Sequence, residues 1–256
     1  MAGFTLQMLR FCLRCCDIFV FCSSAKMKTI EENIRSLKEN IAKIAEKVGR
    51  DPEEIKIVAV SKTVEVERIR EALKCGIKII GENKVQEAEG KFSQILEKFE
   101  RHLVGHLQTN KVKKAIGLFD MIQSLDTLKL ANEISTRALE SGKVMEVLVE
   151  VNTSGEETKF GIKPDEVLRF VKNISELKGI RVKGLMTVGL FTSEPDKVRP
   201  CFKRLKEIFE MIKSENIPGV DMEHLSMGMT ADYQVAIEEG SNMLRIGTAI
   251  FGERKA

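Results

Sequence analysis

The chain of 256 residues has no tryptophan, a single tyrosine (Tyr233) and only 5% aromatic residues. It therefore offers no platform of rings on which nucleobases could stack. An excess of one charge is also lacking. The formal net charge is +3, and outside residues 1–26 there are 38 basic residues against 37 acidic ones. Such a balance gives no electrostatic drive toward nucleic acid or an anionic membrane. The most apolar stretch, Phe4 to Ser24, is interrupted by Arg10, Arg14 and Asp17, which breaks it up too much for a signal-peptide core or a bilayer span. A glycine-rich dinucleotide fingerprint is missing as well: the turn after the first strand-like run reads Ser61-Lys62-Thr63. What remains is an ordinary globular composition, 43% hydrophobic and 31% charged, long enough for one large domain or two small ones.

Residues 1–26 are of a different kind, rich in Phe, Leu and Cys, with Cys12, Cys15, Cys16 and Cys22 close together. Four readings compete: a signal peptide cleaved near Ser23-Ser24-Ala25, a membrane segment, a metal site, or an upstream extension. The interrupted apolar run argues against the first two. The absence of a nearby histidine argues against the third. The change in composition at Lys26 favours an extension, with the folded domain running from Met27 to residue 256. Cys75 and Cys201 are far apart in sequence and read as reduced thiols, which points to the cytoplasm.

From Met27 onward the pattern alternates. Ile30, Ile34, Leu37, Ile41, Ile44 and Val48 recur at helical spacing. Strand-like runs follow at Ile55–Val60, Ile77–Ile80, His102–Gly105, Met121–Leu125, Val144–Val151, Ile180–Val188, Met222–Leu225 and Asn242–Ile246. Helical segments separate them, including a charged one from about Lys84 to Phe99. Eight strands alternating with helices over this length predict a single (β/α)8 TIM barrel. An open doubly wound sheet has the same local pattern and is the structural alternative.

In such a barrel the chemistry lies at the carboxyl ends of the strands. The residues there are Lys62, Glu82-Asn83, His106 with Gln108, Ser124, Asn152-Thr153, Met186-Thr187, Ser226 and Arg245. A lysine at the apolar mouth is partly desolvated, which favours the amine that attacks an aldehyde. Taken alone it is one basic side chain among many. The segments after strands seven and eight, Ser226-Met-Gly228-Met-Thr230 and Arg245-Ile-Gly247-Thr248, supply the glycines and hydroxyls of a phosphate cradle. A mouth lysine with a phosphate cradle suggests a phosphorylated carbonyl ligand, either a sugar phosphate cleaved by a Schiff-base aldolase or pyridoxal 5′-phosphate.

Several runs then occur in order: Val58-Ala-Val-Ser-Lys-Thr63, Gly81-Glu-Asn83, Val85-Gln-Glu87, His102-Leu-Val-Gly-His-Leu-Gln-Thr-Asn-Lys111, Gly184-Leu-Met-Thr187, Leu225-Ser-Met-Gly-Met-Thr230 and Arg245-Ile-Gly-Thr248. In these the chain resembles the pyridoxal phosphate homeostasis protein family over nearly all of residues 27–255. The resemblance implies a barrel like that of alanine racemase and a Schiff base between pyridoxal phosphate and Lys62. It implies Asn83 beside the cofactor, Ser226, Gly228, Gly247 and Thr248 at the phosphate, and Arg245 facing the pyridine nitrogen. It also implies a role in vitamin B6 homeostasis without robust catalysis, with pyridoxal-phosphate-dependent apoenzymes as recipients.

The residue types agree with that expectation. An arginine only donates hydrogen bonds and stays cationic, so it favours an unprotonated ring and a weak electron sink. Racemisation needs an acid–base group on each face of the substrate. Tyr233, in the helix after the phosphate loop, is better placed for packing, and His106 is the remaining candidate. A slow amino-acid racemase is the alternative reading.

Overall fold

The computed structural model describes residues 28–190, 192 and 194–253. The expected extension, residues 1–26, lies outside the described residues. Helix α1 (Ile30–Lys47) starts at a reciprocal cap: the Glu32 N–H donates to Thr29 Oγ1 at 3.1 Å, and the Thr29 N–H donates to the Glu32 carboxylate at 2.8 Å. A cap of this kind is worth about 1 kcal/mol. The chain then alternates through β1 (Lys56–Val60), α2 (Val66–Lys74), β2 (Ile79–Glu82), α3 (Val85–Phe92), β3 (Glu100–Leu103) and α4 (Val112–Leu118). Next come β4 (Met121–Leu125), α5 (Leu128–Glu140), β5 (Met145–Glu150), α6 (Val167–Ile174) and β6 (Ile180–Met186). The last elements are α7 (Arg199–Ser214), β7 (Val220–Ser226), α8 (Tyr233–Glu238), β8 (Met243–Ile246) and α9 (Thr248–Phe251).

Neighbouring strands pair in parallel, and β8 pairs with β1, Arg245 opposite Val58, to close the barrel. That closure excludes the open doubly wound sheet. Side chains alternate across each strand. Val58, Ile79, Met121, Leu148, Met186 and Met243 form an apolar cluster inside the barrel. Their neighbours Ala59, Ile80, Ile122, Val147, Leu185 and Leu244 belong to a separate, larger cluster between the strands and the helices. Two residues farther along the inward face the chain turns polar: Gln123 follows Met121, Glu150 follows Leu148 and Arg245 follows Met243. Helix α1 packs beside α2, α8 and α9. The Asn33 side chain donates to the Ile250 carbonyl at 3.0 Å, and Arg50 Nη1 donates to the carbonyls of Ile237 and Ser241 at 3.0 and 2.8 Å. Both contacts pin α1 and the turn after it to the last elements.

Several boundaries differ from the sequence expectation, three of them near the site or its neighbours. Helix α3 ends at Phe92 instead of reaching Phe99, and Leu96 is 95% exposed. A turn intervenes there because Phe92 and Ile95 bury while Leu96 has no surface to meet. Strand β2 runs to Glu82 and β3 begins at Glu100. The shift in β3 places His102 within the strand and wholly buried. The short helix α9 after β8 was not expected at all.

Candidate functional site

Strands β7, β8 and β1 are neighbours in the barrel. This brings Ser226, Arg245 and the turn carrying Lys62 to adjoining positions at the carboxyl end. Arg245 is buried, donating from Nη1 to Ser226 Oγ and from Nη2 to the Thr187 carbonyl, each at 2.7 Å. Burial pulls its pKa down to about 10, opposed by the charges of Glu150 and Asp232, so the side chain remains cationic at neutral pH. The Ser226 hydroxyl in turn donates to Gln123 Oε1 at 2.7 Å. The hydroxyl of Ser226 is thus tied both to Arg245 and to Gln123.

The turn holding Lys62 is clamped on both sides. Lys91 Nζ donates to the Ser61 carbonyl at 2.6 Å, to Glu82 Oε1 at 2.9 Å and to Glu87 Oε1 at 2.6 Å. The Ser61 hydroxyl donates to Glu82 Oε1 at 2.6 Å, and the Thr63 N–H donates to Glu87 Oε1 at 2.5 Å. Glu82 is fully buried, and burial holds its carboxyl above the usual range despite the hydrogen bonds from Lys91 and Ser61. Thr63 adopts φ +62°, a left-handed conformation unusual for a β-branched residue, which the clamp over-determines. Lys62 is half-buried between these two fixed residues. Asn83 follows β2, and its backbone lies so close to Gly105 that a Cβ there would fall 2.5 Å from the Asn83 carbonyl oxygen.

The loops after β7 and β8 meet. The Arg245 N–H donates to the Gly228 carbonyl at 3.0 Å, and the Ala249 N–H donates to Thr230 Oγ1 at 3.3 Å. Gly228 has φ +95°, and a Cβ on it would come 2.5 Å from that of Ala236. Only glycine fits there. Gly247 and Thr248 open α9 at the same edge. Thr230, which belongs to the expected cradle run but is not among the residues the resemblance singles out, links the two loops through its hydroxyl. A hydroxyl in a glycine-containing loop after β7 was the signal available.

The facing wall is acidic. The His106 ring stacks on Phe160 with centroids 3.9 Å apart, and its Nδ1 lies 3.5 Å from Asp126 Oδ2. Burial raises the Asp126 carboxyl, with the nearby imidazole opposing. Its Oδ1 is buried and makes no hydrogen bond among the described residues. Glu150 is pushed up to about 7 by burial and by Asp126, with Arg245 opposing. A cavity of about 240 Å³ opens here, lined by Glu150, Asn152, Thr153, Phe160 and Thr187 among others. Ser124 and Thr187 are structural, their hydroxyls donating to the Gly105 carbonyl at 2.7 Å and the Val151 carbonyl at 2.8 Å.

An amine at the mouth, a cradle with no room for a Cβ and a buried cation between them together fit a ligand carrying an aldehyde, an anionic group and a ring acceptor. The chain is also similar to known proteins. The family model "Alanine racemase, N-terminal domain" matches residues 33–255. A pyridoxal phosphate homeostasis protein of Aquifex aeolicus is 45% identical over 81% of this chain and 90% of its own. One from Pasteurella multocida is 38% identical over 88% of this chain and 98% of its own. The solved structure of PipY from Synechococcus elongatus with pyridoxal phosphate bound superposes with a TM-score of 0.77 at 29% identity, covering 88% of this chain and all of that one. With its barrel, its mouth lysine and these relatives, the chain belongs to the pyridoxal phosphate homeostasis protein family, a group within the alanine racemase N-terminal domain barrels.

Proposed function

We propose that this protein binds pyridoxal 5′-phosphate as a Schiff base on Lys62 and serves vitamin B6 homeostasis by holding and releasing the cofactor. Bound pyridoxal phosphate supplies a reactive aldehyde and an electron-accepting ring. The chain's own residues decide how far that ring can act. The observation that carries the reading is Arg245, buried and doubly hydrogen-bonded on the strand beside the one that leads to Lys62. As a donor that stays cationic, it keeps a ring nitrogen unprotonated and the electron sink weak. Asn83 flanks the ring, while Gly228, Gly247, Thr248 and Thr230 hold the phosphate. Ser226 stands at the base of the same cradle, its hydroxyl tied to Arg245 and Gln123.

The named functions and the bound ligand of the relatives support this reading. Recipient apoenzymes are the partners it implies. No helix among the described residues is long and apolar enough to cross a membrane. Cys75 and Cys201 are both free thiols, in keeping with a reducing cytoplasmic setting. Borohydride reduction followed by peptide mapping tests the assignment: one pyridoxyl group should appear on the peptide holding Lys62. A label on Lys84, Lys111 or any other lysine would overturn it.

A specific observation favours the racemase alternative. His106 is set against the Asp126 carboxylate and stacked on Phe160, an arrangement that orients an imidazole for proton transfer. Incubation with single amino-acid enantiomers separates the two readings. Inversion of chirality that vanishes in His106→Ala would establish the enzyme; unchanged chirality leaves the binding protein.

A further inference from the structure

A file of polar side chains crosses the barrel interior beneath the site, and the Lys62 chemistry does not use it. Gln123 stands on β4, across the barrel from β8, and is fully buried. Its Oε1 accepts from Ser226 Oγ at 2.7 Å. Its Nε2 lies 2.8 Å from His102 Nδ1 and 3.3 Å from Met243 Sδ. His102 Nε2 reaches the Glu100 carboxylate at 3.0 Å near the opposite end of the barrel.

The direction of the links follows from Arg245, which can only donate, and from the Gln123 amide, whose oxygen faces Ser226 and whose nitrogen faces His102. Arginine has no acceptor, so Arg245 donates to Ser226 Oγ. The single Ser226 proton is then directed to Gln123 Oε1, which turns the amide nitrogen toward His102. His102 must accept at Nδ1, so its proton sits on Nε2 and goes to Glu100. The file runs in one sense from a guanidinium to a carboxylate, an arrangement in which each bond strengthens the next.

We propose that Gln123, oriented by His102, is a positioning residue that fixes the guanidinium of Arg245 toward a bound pyridine ring. This rests on the reading of Arg245 as the ring partner. Without Gln123 the Ser226 hydroxyl has no set direction, and Arg245 keeps only the Thr187 carbonyl as an oriented acceptor. The aldehyde end of the site, on β1, is untouched.

The test uses full-length protein loaded with pyridoxal phosphate. In Gln123→Met the borohydride label should stay on Lys62, while the absorption band of the bound cofactor shifts and its affinity falls roughly tenfold, the equivalent of one buried hydrogen bond. His102→Asn, which can still present an acceptor to Gln123, should keep the wild-type band; His102→Leu should shift it as Gln123→Met does. A folded Gln123→Met with wild-type band and affinity would overturn the proposal, as would identical behaviour of the two His102 variants. Should Gln123→Met not fold, Gln123→Glu replaces it. That variant keeps the acceptor for Ser226 but not the donor to His102, so the His102 proton should move to Nδ1. Nitrogen NMR of the ligand-free protein reads that tautomer directly, and Nε2 protonation in the wild type is required. Loss of the Lys62 label in the wild type would sink the proposed function, whereas a wrong tautomer would sink this inference alone.

Discussion

The two apolar regions of the barrel obey different rules. Between strands and helices the packing is continuous and apolar, from Ile34 on α1 to Phe202 on α7. Inside the barrel a small apolar cluster gives way within two residues to Gln123, Glu150 and Arg245 on β4, β5 and β8, with Ser226 beside them on β7. The outer layer needs volume, and its attractions have no direction. The inner layer needs each donor to meet an acceptor, because an unpaired buried polar group costs more than a lost contact. Stability should therefore be governed mainly by the outer layer and binding by the inner one.

The strongest way to break that division is Phe119→Ala. Phe119 is buried after α4 and meets Phe92 edge to face at 5.9 Å. Denaturant unfolding should show a loss of about 3–5 kcal/mol, while cofactor affinity of the folded fraction is unchanged. A matching loss of affinity would show that the layers are coupled.

Glu150 tests the inner layer through pH. Its folded pKa of about 7 lies above the ordinary glutamate value. The folded state therefore binds the proton more tightly, and stability falls as pH rises from about 4.5 through about 7. The loss should be on the order of 3 kcal/mol by pH 8. His224, held at about 4 mainly by burial, works in the opposite sense below pH 6.5. The difference between wild type and Glu150→Gln isolates the carboxylate. Parallel stability curves for the two proteins across pH 5–8 would contradict the assignment.

A smaller effect is expected at Arg245. In Arg245→Gln the label should remain on Lys62 while the cofactor spectrum changes and affinity falls by about 2 kcal/mol, the value of a charged hydrogen bond. Spectrum and affinity equal to wild type would remove Arg245 from the site. The smallest change in stability belongs to Lys62→Ala, within about 0.5 kcal/mol, although the covalent label should vanish. Weak binding through the cradle should persist in a dialysis experiment, and complete loss of binding would mean the cradle holds nothing by itself.

The outer layer was the more legible of the two. The stripe of α1 and the limits of β4 follow from spacing alone, because burial of one face imposes a period that any apolar residue can satisfy. The mouth was readable where the backbone limits the residue type, as at Gly228, whose positive φ and crowded surroundings admit only glycine. The interior file was harder. Reading β4 for its polar end picks out Ser124, whose hydroxyl only ties to Gly105, whereas Gln123 shares the inward face of Met121. His102 reads as the first residue of a strand, and its pairing with Gln123 depends on the β3–β4 register, in which His102 lies opposite Met121. The Lys91 clamp joins residues from three elements, so no local spacing announces it. The link between Arg245 and the Ser226 hydroxyl is likewise not announced by spacing, since the two residues lie on different strands.

The pairing of β8 with β1 also has a consequence during synthesis. Lys62 leaves the ribosome early, just after the first strand, while Arg245, Gly247 and Thr248 arrive with the last. An incomplete chain thus carries Lys62 without Arg245, Gly247 and Thr248. Closure of the final strand is a long-range step, slow relative to the local helices, and it assembles the site in a single event. A site shared between the first and last strands is in this way reserved for molecules that have finished folding.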